Sequence, residues 1–237
     1  MRLLLIRHGQ TPANVDGVLS TDAPGPVLTE LGTRQAAEIP RALAGDPIDG
    51  IYVSKLVRTQ LTAAPLALER DLEAHVMPGI HEIEAGELED RSGAEAVKVY
   101  LTTAFAWGTG ELDPRMPGAS NGHEFYERFD SDIATIYKDT GEGGTAVVVS
   151  HGAAIRVWVA GRATNVPPSF AGEHDIENTG VVELDGSPEA GWTLLSWQGT
   201  PVGGQDLADP TAEDPTGETL AEADAEANAE AAASAGD

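Results

Sequence analysis

Two apolar runs in this chain end in the same dipeptide. Leu3 to Ile6 passes into Arg7-His8-Gly9, and Ala146 to Val149 passes into Ser150-His151-Gly152. Runs of this length with no polar face read as strands buried on both sides of a parallel sheet. In open α/β sheets, ligands bind beyond the carboxyl ends of the strands. The pattern therefore predicts two imidazoles and a guanidinium at one sheet edge. An imidazole can act as a nucleophile, and a guanidinium grips an anion with forked hydrogen bonds. A glycine next to them lets the backbone come close. Ala153 to Arg162 reads as a helix, which puts His151 at a helix N-terminus, a position that favours anions. A capping role for His151 is the alternative.

The rest of the chain alternates strand and helix signals, as an α/β fold requires. Val15 to Val27 is rich in Gly, Asp and Pro and reads as a loop. A helix opens at Thr29, its expected N-cap, and Pro40 should kink or end it early. Ile48 to Ser54 reads as a second strand, with Ser54 able to cap the next helix, which carries Arg58 one turn further on. By itself Arg58 could be an ordinary surface cation. Leu72 to Val76 is a candidate edge strand. Ala94 to Trp107 and Glu124 to Lys138 read as helices. The second carries an apolar stripe, Phe125, Phe129, Ile133, Ile136 and Tyr137, that is expected to be core, and Gly141 should stop it. Asn178 to Leu184 and Gly191 to Trp197 pair as a hairpin around Asp185-Gly186.

The chain holds 14 basic and 39 acidic residues, a net charge of −25. Nucleic acid and anionic membrane are therefore not expected as partners. The absence of cysteine removes disulfides, thiolate zinc sites and cysteine-based phosphatase chemistry. No apolar run is long enough for a membrane span and no secretory cleavage pattern is visible, so a cytoplasmic protein is expected. Residues 201–237 are Ala-, Glu-, Asp- and Pro-rich, with no Lys or Arg and no apolar stripe. They are expected to form a disordered acidic tail.

Several segments taken together resemble the histidine phosphatase superfamily, which includes the cofactor-dependent phosphoglycerate mutases. The first is Arg7-His8-Gly9-Gln10-Thr11 with Asn14 three positions on. Leu28 to Ala36 resembles the first helix of that family. Ser54, Arg58-Thr59 and Thr62-Ala63 resemble its second motif, Glu82 and Gly86 part of its third, and Met116 to Glu124 a loop of it. His151-Gly152 completes the set. The likeness covers about residues 1 to 198. Ala85, Leu88 and Asp90 stand where an aromatic, a tryptophan and a glycine are frequent, which bears on how Glu82 is held.

The resemblance implies a three-layer α/β/α fold with a mostly parallel central sheet. It implies a catalytic domain over residues 1–200, with a helical insertion at about 91–140 lying over the active site. In the implied chemistry His8 attacks phosphorus and Arg7, Arg58, Asn14 and His151 bind the phosphoryl oxygens. Glu82 protonates the leaving group and then activates water. No cofactor and no metal are implied, because the arginines supply the positive charge. His81, next to Glu82, is at most a supporting residue, and Glu84 and Glu87 are expected to be solvated surface charges.

A mutase would need extra cations around its substrate, but Arg91, Lys98, Arg115, Arg128 and Lys138 are scattered along the insertion. The expected activity is therefore hydrolysis of a small phosphate monoester. A phosphoglycerate mutase-type phosphotransferase is the first alternative and a non-catalytic phospholigand-binding protein the second. The partner is a small-molecule phosphate ester, and a homodimer is compatible with the sequence.

Overall fold

Leu3 and Leu5 face one side of the first strand and Leu4 and Ile6 the other, and all four are buried. A strand apolar on both faces must lie inside a sheet with helices on each side. The computed structural model, which describes residues 1–234, has that architecture. Its strands are β1 (Arg2–Arg7), β2 (Gly50–Ser54), β3 (Ala74–Met77), β4 (Thr145–Ser150), β5 (Val181–Ser187) and β6 (Gly191–Gln198). They form one sheet in the order β3-β2-β4-β1-β5-β6. The first four strands in that order run parallel, and β5 and β6 close the other edge as an antiparallel hairpin. Leu5 and Ile6 pair with Val148 and Val149, so β1 and β4 end side by side.

The helices follow in chain order: α1 (Pro12–Val15), α2 (Glu30–Ala42), α3 (Val57–Arg70), α4 (Ala94–Gly108), α5 (Gly122–Thr140), α6 (Gly152–Arg162), α7 (Phe170–Glu173) and α8 (Leu220–Ser234). On one face of the sheet, Ile39 of α2 and Ala63 and Leu66 of α3 pack with Leu4, Ile6, Ile51 and Val149. On the other, Leu3, Leu5 and Val148 meet α4, α5 and α6. The apolar stripe expected on α5 is core there: Phe129 stacks on Trp158 with ring centroids 5.4 Å apart. No described helix is long and apolar enough to cross a membrane.

Two local features differ from expectation. Pro40 does not end α2 at once. The helix runs on to Ala42, because a proline so near the C-terminus forfeits little of the hydrogen-bond ladder. Thr29 caps it as expected, accepting from Gly32 N. Ser54 does not cap α3; Leu56 takes the N-cap place without a side-chain bond, and the Ser54 hydroxyl turns to His151 instead. Asp90 adopts φ +59 and donates its backbone N–H to Leu19 O. That left-handed conformation explains why glycine is frequent there, and aspartate is among the residues that tolerate it.

The largest difference lies after residue 200. Val202 is buried among Leu4, Ile39 and their neighbours, and Gln35 donates to Leu207 O. Ala223 is buried, and α8 lies along α4 with Lys98 and Asp224 2.8 Å apart. Val202, Leu207 and Ala223 thus lie against the domain in a stretch where composition predicts disorder. Helix α8 has no stripe, but two residues, Leu220 and Ala223, suffice to seat it against a groove already made by α4 and α7. Residues 235–237 of the expected tail lie outside the described residues.

Candidate active site

The carboxyl ends of β1 and β4 place His8 and His151 side by side, their ring centroids 5.2 Å apart. The backbone around His8 is tied down from three directions. His8 N donates to Ser150 O of β4, Gly9 N to the Thr62 hydroxyl of α3, and the Asn178 amide to His8 O. Gly9 also passes so close to Gly32 that a Cβ there would lie 2.7 Å from a carbonyl oxygen; only glycine fits.

The His8 ring has a defined orientation. Its Nδ1 lies 2.8 Å from Gly9 O, which can only accept, so Nδ1 carries the proton and Nε2 keeps the lone pair. Burial pushes His8 well below the ordinary imidazole value, helped by the charges of Arg58 and Arg7. Both effects favour the neutral ring. His151 is lowered in the same way, by burial first and then by Arg58 and His8. Its Nε2 lies 2.8 Å from Ser54 Oγ, while its Nδ1 is buried with no partner.

His8, Asn14, Arg58 and Glu82 line one cavity of about 10 Å³, together with Thr11, Ser20 and others. Arg58 is buried; its Nη2 donates to Ser20 O, and its Nε and Nη1 have no partner. Burial lowers it to about 10, with the Glu82 charge acting against that shift, so it stays cationic near neutrality. Two buried N–H donors of Arg58 and the Nδ1 of His151 thus lack partners beside an imidazole lone pair. Buried donors are normally satisfied, and an oxyanion would satisfy these.

Glu82 is buried, and its carboxylate accepts from the backbone N–H groups of Ile83 and Ala154 at 2.9 Å each. It therefore sits on the N-terminus of α6. Ala85 and Leu88 give its segment no aromatic side chain at those two positions, and α5 holds it. Arg128 donates to the carbonyls of Gly79, His81 and Glu82, while the Asp132 carboxylate accepts from Gly79 N and Ile80 N. Tyr100 donates to Ile83 O. His81 and Glu84 are part of this support rather than surface groups. They pair at 2.6 Å, with Arg128 beside Glu84. Burial raises Glu84, but the His81 hydrogen bond and Arg128 outweigh it and bring it to about 2.

Arg128 is accordingly expected to position Glu82. Arg128→Met should lower kcat by about 10² while leaving KM within about threefold, because a small displacement of a reacting group costs that much. Steady-state kinetics across pH should show the loss together with a changed pH profile. Equal changes in kcat and stability with an unaltered profile would make the residue merely structural.

Arg7 is placed differently. It is fully buried and does not line the cavity. Its Nη1 and Nη2 donate to the two carboxylate oxygens of Asp214, each at 2.5 Å, and to Ile176 O and Thr216 Oγ1. Asn14 Nδ2 donates to the same Asp214 carboxylate at 2.9 Å. The expected phosphate donors Arg7 and Asn14 thus converge on one anion, and that anion belongs to the chain itself. Pro215 and Thr216 complete the cavity wall.

The contacts of Ser54, Thr62, Arg128, Asp132 and Asp214 were not legible in the sequence. The first two stood in a recognised motif, but their partners are distant. The others carried no local signal.

The site is a buried imidazole pair with guanidinium groups at the carboxyl edge of a parallel sheet in an α/β protein. The family model of the histidine phosphatase superfamily (branch 1) matches residues 3–200. This chain belongs to that superfamily. It is 41% identical over 221 residues to the PE-PGRS family protein PE_PGRS11 of Mycobacterium tuberculosis, covering 87% of this chain and 38% of that protein. The chain therefore spans well under half the length of that relative. It is 30% identical to the adenosylcobalamin/alpha-ribazole phosphatase of Salmonella typhimurium, covering 68% of this chain and 78% of the relative. The crystal structure of an Entamoeba histolytica phosphoserine phosphatase in complex with 3-phosphoglyceric acid superposes with a TM-score of 0.64. There the identity is 27%, over 87% of this chain and 99% of that one.

Proposed function

We propose that the chain is a phosphatase that hydrolyses small phosphate monoesters through a phosphohistidine on Nε2 of His8, without a metal. The observation that carries this reading is the Nδ1-to-Gly9 hydrogen bond, which leaves a neutral nitrogen nucleophile beside unsatisfied cationic and neutral donors. Two relatives with phosphatase names support the class of reaction.

In the first step the lone pair of Nε2 forms the N–P bond as the P–O bond to the alcohol breaks. Glu82, the sole carboxyl group among the residues lining the cavity, gives its proton to the departing alkoxide. In the second step the same carboxylate takes a proton from water, which attacks phosphorus and releases His8. Arg58 and the Nδ1 proton of His151 bind the equatorial oxygens. Ser54 sets that proton by donating its own to Nε2 of His151. Once Asp214 is displaced, Arg7 and Asn14 add further donors. Such fixed donors are worth about 3 kcal/mol each in the transition state.

The test is hydrolysis of p-nitrophenyl phosphate, followed by a panel of metabolite monoesters. Chelator-insensitive turnover is expected, and no turnover on any monoester despite phosphate binding would reject the reading. Isomerisation of 3-phosphoglycerate only with a bisphosphate primer would instead indicate a mutase.

A further inference from the structure

The phosphate-handling site is covered by the chain's own C-terminal segment. Asp214 presents a carboxylate to Arg7 in the forked geometry that guanidinium groups offer to carboxylate and phosphate alike. Asn14 adds a third donor to the same group. On one side of the strap Pro215 and Thr216 close the cavity that contains His8 and Glu82. On the other, Asp209, Glu213 and Asp214 face a larger groove with Asp175 and Glu177.

With the segment in place the cavity holds only about 10 Å³. That is far below the range of about 300–1,000 Å³ typical of small-molecule sites, so a phosphate monoester cannot enter until the segment moves. The attachment is strong at a few points and weak elsewhere. Arg156 donates to the carbonyls of Thr216 and Glu218, and Gln10 to Asp209. Ile176 N donates to Gly217 O and residues 215–217 are buried; further along, the anchor is α8, which buries little more than Leu220 and Ala223. Neighbouring acidic charges work against it: Glu218 is raised to about 8 by burial and by Glu226, Glu222 and Asp214, with Arg156 acting the other way.

We propose that residues 209–218 form an autoinhibitory strap whose Asp214 carboxylate occupies the Arg7–Asn14 anion locus and competes with the substrate's phosphate for it. This rests on the phosphatase reading for its substrate, but the anion competition is independent of turnover. A ligand that must expel the strap binds more weakly by the fraction of molecules in which the strap is open.

The experiment uses the full chain and inorganic phosphate or orthovanadate as probe, measured by calorimetry and as inhibitors of p-nitrophenyl phosphate hydrolysis. Asp214→Asn keeps the shape of the side chain and removes its charge. It should tighten phosphate binding about tenfold, corresponding to a strap open in about one molecule in ten, and lower KM in proportion with kcat unchanged. Phosphate affinity that is unchanged or weaker in Asp214→Asn overturns the proposal, as does a chain in which neither form binds phosphate. Tighter binding in Asp214→Asn with no turnover in either protein would keep the strap and reject the phosphatase.

Discussion

His8→Ala should lose about 10⁵-fold in turnover, the scale seen when a covalent nucleophile is removed from a site whose other parts remain. At about 1.36 kcal/mol per decade this is roughly 7 kcal/mol of transition-state stabilisation. Phosphate binding should persist, since Arg58 and His151 do not depend on the His8 ring for position. Arg58 is held by Ser20 O, and His151 by Ser54. The variant also has a pH signature in stability. His8 and His151 are lowered by burial and by Arg58, so below about 6.5 the unfolded chain takes up protons that the folded chain refuses. Stability should therefore hold above that value and fall as pH drops below it, by at most about 1.4 kcal/mol per pH unit for each ring. Chemical denaturation at pH 7.5 and 5.5 should show a shallower fall in His8→Ala than in the parent. An equal fall in both would mean that the ring is protonated in the folded state.

Arg58→Ala should lower kcat/KM by about 10⁴-fold, within the range of an arginine that stabilises phosphoryl-transfer charge. The loss is large because the guanidinium is already desolvated and its Nε and Nη1 have no other partner. The whole of their interaction is left for the ligand. Arg58→Lys should recover a small part, since an ammonium restores the charge but not the fork. Full recovery with lysine would show that Arg58 supplies only a long-range field. A loss below tenfold in the alanine variant would mean that it is a structural cation tied to Ser20.

The contrast between what was legible and what was not follows the range of the interactions. Leu3 to Ile6 and Ala146 to Val149 announced buried parallel strands by composition alone, and the residues at their ends were therefore already ordered along one edge. His8, Arg58, Asn14 and Glu82 could be named because each stands in a local motif, and they do line one cavity. Ser54 was legible as a polar residue at a helix start, but not as the partner of a ring 97 positions away. Arg128 looked like one scattered cation of the insertion, because its three carbonyl partners lie on a separate loop. Asp214 was the least legible. A carboxylate in a charged, stripe-free segment has no periodicity, and what orders it is the buried guanidinium of Arg7, 207 residues earlier in the chain.

The most direct test of the account is a rapid quench into alkali during turnover of a labelled monoester, followed by mapping of the phosphorylated peptide. Alkali preserves a phosphohistidine that acid would destroy. The account predicts label on the peptide containing His8 that forms within one turnover, disappears when unlabelled substrate is added, and is absent from His8→Ala. Sustained hydrolysis by the parent chain with no label on His8 at any time point would contradict it.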